Sequence, residues 1–145
     1  NEGVPDEERL AWARLAAALE LPAYDALLAF QQLMVTPAVT SLPEIPPDAP
    51  WLEHMVRGIS ALSRSFRAAS VDVPALRATG VPIYCAVGSL THPVFELRAR
   101  RLQAQIPEAE VEVYDGLHHL APPHRHAADR LATRLQALWA RADTA

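Results

Sequence analysis

Residues 81–88 read Val81-Pro-Ile-Tyr-Cys-Ala-Val-Gly88, and a second glycine, Gly80, stands just before them. A short apolar run bounded by glycines predicts a strand over 81–87 that is buried on both faces, the habit of parallel sheets covered by helices on either side. Downstream, Pro93 to Gln105 carries Phe95, Ala99 and Leu102, with Ile106 just beyond, at the spacing of one helical face. A second strand follows at Glu110 to Tyr114. Strand, helix, strand is the pattern of a crossover joining parallel strands. In the second strand Val111 and Val113 alternate with Glu112 and Tyr114, which predicts one wetter face near a sheet edge. A last helix, His124 to Ala142, is expected to turn Ala128, Leu131, Leu135 and Leu138 inward and Arg130, Arg134 and Arg141 outward.

Upstream of this unit the chain changes character. Pro5 and the acidic Asp6, Glu7 and Glu8 suit the first turn of a helix reaching Leu21. After Pro22, Ala23, Ala26, Leu27, Phe30, Leu33 and Met34 mark the buried face of a second helix. Five prolines between 36 and 50 predict a stiff connector, with hidden short strands as the alternative. A third helix, Trp51 to Ala69, has Leu52, Met55, Val56, Ile59, Leu62 and Phe66 on its apolar face. The fold class is therefore α/β, with a helical region over 1–70 and a β-α-β-α unit over 71–145. Two strands cannot cover both faces of a run as apolar as Ile83 to Val87. Because 1–70 offers no convincing strand, the chain is expected to complete a parallel sheet begun in another chain or an upstream segment. The lack of an initiator methionine fits that expectation.

Composition narrows the partners. The 145 residues are 50% hydrophobic and 21% charged, a globular balance. The 13 basic residues are all arginine, scattered among 17 acidic ones for a net charge of −4, which argues against nucleic acid. No apolar run approaches the roughly 18 residues needed to cross a bilayer, so no membrane partner is expected. Cys85 stands alone, which excludes an internal disulfide and a cysteine zinc site. A mid-strand position reads as packing, and a reducing, cytoplasmic setting is expected.

Open parallel sheets place their sites beyond the carboxyl ends of the strands. Two loops meet that description, Gly88-Ser-Leu-Thr-His92 and Asp115-Gly-Leu-His-His-Leu-Ala-Pro-Pro123, and four of the six histidines lie in or next to them. Histidine is the side chain most readily used as a general base near neutral pH.

The order of helical region, Val81-Pro-Ile-Tyr-Cys-Ala-Val-Gly88, amphipathic helix, Ile106-Pro-Glu-Ala-Glu-Val-Glu-Val-Tyr-Asp-Gly-Leu-His-His-Leu-Ala-Pro-Pro123 and terminal helix resembles the C-terminal half of an α/β-hydrolase. That resemblance covers nearly the whole chain. It implies a partial α/β-hydrolase fold in which 1–70 is a helical lid and 71–145 the end of the core. It also implies a nucleophile-histidine-acid triad whose histidine follows a Gly-x-x-His turn. Gly116-Leu-His-His119 matches, so His119 is the candidate catalytic base and His118 occupies the spacer. No G-x-S-x-G elbow is present, which puts the nucleophile in an N-terminal portion of the same hydrolase. Where many relatives carry an aspartate after the penultimate strand, this chain has Thr91, which cannot serve as a carboxylate. Asp115 reads as a turn cap, and Asp72 precedes the first strand, at the opposite edge of the sheet.

The implied activity is cleavage of an ester-like or related bond in a small apolar organic substrate, with no cofactor. Two alternatives stand beside it. A metal held by His118, His119, His124 and His126 is disfavoured, because i and i+2 side chains on a helix diverge. A non-catalytic binding or assembly module on a hydrolase-like fold remains open, since a fold does not dictate function and Thr91 stands in the acid position.

Overall fold

The computed structural model describes residues 5–68 and 71–142. Among them lie seven helices and one two-stranded parallel sheet, a mixed α/β architecture. The chain divides into two compact units, Asn1–Ser70 and Val71–Ala145.

The first unit is helical. Helix α1 (Asp6–Ala18) packs on α2 (Ala23–Leu33), which packs on α3 (Leu52–Ala68). Pro5 and Pro22 precede the first two helices, where a missing amide hydrogen is no loss because the first-turn donors have no helical acceptor. The core joins Ala26 and Leu27 of α2 to Leu52 and Val56 of α3, and Ile45 from the proline-rich connector completes it. Truncating Leu27 to alanine here would cost about 2–5 kcal/mol. The connector forms turns and no strand among the described residues. Gln31 fastens it: its buried side-chain amide donates to the Pro43 carbonyl at 3.1 Å. The expected apolar face of α3 is only partly used. Leu52 and Val56 are buried and Ile59 packs beside them, but Met55, Leu62 and Phe66 are exposed.

The second unit opens with a helix that the sequence reading lacked, α4 (Val73–Ala78). Asp72 caps it by accepting the Ala75 amide hydrogen at 2.9 Å. Strand β1 (Tyr84–Gly88), helix α5 (Pro93–Gln105) and strand β2 (Glu110–Tyr114) follow. The strands run parallel, in a register that pairs Tyr84 with Glu110 and Gly88 with Tyr114. β1 is shorter than the expected 81–87 strand, because its ladder starts only where β2 begins and Pro82 has no amide hydrogen to offer. Nor is β1 buried on both faces. Val87 is buried, Cys85 is half-buried and Ala86 is exposed, since no further strand flanks β1 among the described residues.

The expected terminal helix is two helices, α6 (Pro123–His126) and α7 (Ala128–Ala142), broken at Ala127 where ψ swings to 43°. Leu138 is buried and Leu131 and Leu135 are half-buried as the periodicity required, but Ala128 is exposed. The arginines of α7 do not simply face outward. Arg130 Nε donates to Glu112 Oε1 at 2.8 Å, Arg134 Nε stands 3.0 Å from Glu112 Oε2, and Arg141 pairs with Glu110. The supposedly wet face of β2 is thereby closed, and Tyr114 on it is only 1% exposed, beneath the Arg130 guanidinium. Tyr84 donates to Glu112 at 2.6 Å and lies 2.8 Å from the Tyr114 hydroxyl, which is left as the donor of that contact. Burial alone would raise the Glu112 pKa, but the Tyr84 hydrogen bond and the two arginines outweigh it and hold the carboxyl below its ordinary range.

Candidate functional site

The two loops singled out by position are sewn together at the carboxyl ends of β1 and β2. The Ser89 amide donates to the Tyr114 carbonyl and the Leu90 amide to the Leu117 carbonyl, both at 2.9 Å. Ser89 Oγ donates to Asp115 at 3.1 Å and accepts the Gly116 amide hydrogen at 2.9 Å. Two glycines permit this. Gly116 turns the chain at φ +72°, and Gly88 passes so close to the second loop that a β-carbon there would lie 2.3 Å from the Leu117 carbonyl oxygen.

Beyond this seam the chain doubles back, with the Ala121 amide donating to the His118 carbonyl at 2.8 Å. His118 Nδ1 accepts the Leu120 amide hydrogen at 3.2 Å, so in its neutral form His118 carries its proton on Nε2. His119 points to a different neighbour. Its ring stacks on Phe95 with centroids 4.8 Å apart and planes 25° from parallel. Phe95 is placed there by the start of α5: His92 caps the helix by accepting the Val94 amide hydrogen on Nδ1 at 3.2 Å, Pro93 opens it, and the Phe95 amide returns to the His92 carbonyl.

His119 is exposed as a residue, yet its ring is partly stripped of water. That desolvation, with repulsion from His118 second, lowers its pKa below the ordinary histidine value. The imidazole is therefore neutral at pH 7, the form a general base requires.

His119 borders a groove of about 500 Å³ lined by Cys85 and Val87 of β1, Phe95 and Leu102 of α5, and Pro122. Burial raises the Cys85 pKa, which keeps the thiol protonated and inert. Cys85 to Gly88 of β1 line the groove and no residue of β2 does. Ile83 and Ser89 direct their carbonyl and amide, respectively, to β2, so by strand alternation the amides and carbonyls of Tyr84 and Ala86 point to the open edge.

The sequence candidates separate here. His118 and His119 share the groove, while His124 and His126 are exposed on the short α6. No group of three His, Cys, Asp or Glu side chains among the described residues is arranged to hold a metal ion. Thr91 is buried and lines the groove, Asp115 is engaged with Ser89, and Asp72 is consumed as the α4 cap. Phe95 and Ser89 were not picked out in the sequence. Phe95 read as one more apolar position on α5, and only the three-dimensional return of the second loop shows that it holds His119.

Comparison with protein-family models, with curated proteins and with solved structures finds no match for this chain. No helix among the described residues is long and apolar enough to cross a membrane.

Proposed function

We propose that the chain is the helical lid and C-terminal core of an α/β-hydrolase, cleaving an ester-like bond in a small apolar organic substrate. The observation that carries this reading is that His119 lines one groove with β1, a strand paired on one edge only among the described residues. A parallel strand added to its other edge brings its own carboxyl-end loop to His119, where a nucleophile is needed. The N-terminal portion of the hydrolase supplies that strand and the nucleophile.

In this mechanism neutral His119 takes the proton of the nucleophile as it attacks the substrate carbonyl, then returns it to the leaving group. Phe95 fixes the ring plane and excludes water from one side of it. A carboxylate must set the imidazole tautomer, and it too comes from the N-terminal portion, because Thr91 has none and Asp115 is engaged with Ser89. The apolar groove suits an acyl or ring-bearing substrate, the setting is the cytoplasm, and no cofactor, nucleic acid or membrane takes part.

The test begins with intact-mass analysis of the native protein to find the N-terminal portion, followed by turnover of p-nitrophenyl butyrate by the complete assembly. His119→Ala is expected to lower kcat at least 1,000-fold, the scale of losing a triad member. Unchanged turnover removes His119 from the reaction. One observation favours a second reading, a non-catalytic binding or assembly module: Thr91 is buried where the acid would stand. An assembly without hydrolytic activity selects that reading.

A further inference from the structure

Two hydrogen bonds span His119 within its turn. The outer one joins backbone to backbone, from the Ala121 amide to the His118 carbonyl at 2.8 Å. The inner one uses a side chain: His118 Nδ1 accepts the Leu120 amide hydrogen at 3.2 Å. Between these two ties His119 lays its ring on Phe95 of α5.

The ties answer acid differently. A carbonyl oxygen keeps its lone pairs throughout the histidine titration range, but a protonated imidazole carries N–H on both nitrogens and accepts nothing. The Leu120 amide would then face another donor, and Leu120 is half-buried, so the ring must turn away. Nothing acidic holds an imidazolium in place. The other titratable or charged side chains lining the groove are Cys85 of β1, Arg98 of α5 and His119, and no Asp or Glu lines it. Asp115, earlier on the turn, is engaged with Ser89. The first loop contributes His92, whose Nδ1 accepts the Val94 amide hydrogen, and α6 contributes His124, Arg125 and His126, all exposed. Charge on His118 is felt by its neighbour, since its repulsion is the second cause of the lowered His119 pKa.

We propose that His118 is a proton-operated latch on the turn that carries His119: neutral, it holds the turn through Leu120, and protonated, it lets go and loosens the His119–Phe95 stack. The outer tie then holds alone. The device lies within the second unit and does not depend on the hydrolase reading.

The test is NMR of the full chain titrated from pH 7.5 to 5, with His118 protonation followed on its own ring. Neutral His118 is expected to carry its proton on Nε2, read from correlations between ring nitrogens and ring protons. As His118 titrates, protection of the Leu120 amide, corrected for the intrinsic pH dependence of exchange, should fall about 2- to 10-fold, the worth of one hydrogen bond. The nuclear Overhauser contact between the His119 and Phe95 rings should weaken with it, while the Val87 amide, in the ladder with β2, keeps its protection. His118→Asn retains an oxygen able to accept the amide two residues on and gains no proton, so its Leu120 protection should stay flat over the same range. Four results each overturn the proposal: neutral His118 protonated on Nδ1; Leu120 protection or the ring contact unchanged across the His118 titration; loss at Leu120 only together with Val87, which is unfolding; or an acid response in His118→Asn as large as in the unmodified chain. The first three need no variant, so they decide the matter even where His118→Asn fails to fold.

Discussion

The rings of Phe95 and His119, 24 positions apart in sequence, stack 4.8 Å centroid to centroid and 25° from parallel. This contact covers one face of the histidine proposed for proton transfer. Desolvation comes first among the causes of its lowered pKa, so removing a ring that lies against it should have a defined direction. In Phe95→Ala the His119 pKa is expected to rise toward the ordinary value of about 6.5, read from the ring-proton shifts in an NMR pH titration. No movement would mean that the stack does not control the proton.

The same shift makes stability depend on pH. His119 binds its proton less readily folded than unfolded, so the unfolded chain holds more protons once pH falls to about 6.5, and stability declines from there downward. His119→Gln should flatten that part of a urea-denaturation profile taken from pH 7.5 to 5. A profile as steep as that of the unmodified protein would show that other groups carry it.

Gly88 is expected to tolerate no side chain. Its missing β-carbon would sit 2.3 Å from a backbone oxygen that already receives the Leu90 amide, so relief requires parting the two loops. Gly88→Ala should cost about 1–3 kcal/mol, as overpacking does, and speed hydrogen exchange at the Leu90 amide. An unaltered exchange rate there would mean that the seam is looser than its hydrogen bonds imply.

Glu112 serves α7 as well as β2. Its side chain is 12% exposed and faces Tyr84, Arg130 and Arg134, the arginines being half-exposed, so Glu112→Gln is expected to cost about 1–3 kcal/mol rather than the full value of a buried pair. The carboxyl pKa is lowered in the fold, so its contribution is complete above the unfolded value near 4.3 and is lost as pH falls through the folded one. The stability difference between the two proteins should therefore shrink in denaturation measured below pH 4. A difference that stays constant down to pH 2 would assign the cost to shape and not charge.

Much of this was legible in the sequence for local reasons. The bounds of α5 and β2 follow from Pro93 and from the Val111–Val113 alternation, which act within a few residues. Helix α4 was missed because six residues hold too little periodicity, leaving only the Asp72 cap and Pro74 as signals. The role of Glu112 was misread because alternation marks a polar face without showing what covers it, and the cover comes from arginines 18 and 22 residues downstream. His119 was found by its turn, whereas Phe95 was not, since nothing local distinguishes a ring that packs the core from one that holds a histidine.

The open edge of β1 gives the most discriminating expectation. Ala86 directs its amide away from β2, so proline at 86 removes no hydrogen bond from the existing ladder and should cost the isolated chain about 1 kcal/mol from its restricted φ. Val87 directs its amide toward β2, and Val87→Pro should cost about 3 kcal/mol or more. If a strand of the N-terminal portion pairs with β1, the order of harm reverses in its presence: Ala86→Pro leaves a folded chain that fails to assemble, since the missing donor and the ring both face the incoming strand. Denaturation of each variant alone, and size-exclusion chromatography of each with the N-terminal portion, separate the two effects. An Ala86→Pro chain that assembles and turns over substrate normally would show that β1 is a true sheet edge, and that the nucleophile reaches His119 from elsewhere or not at all.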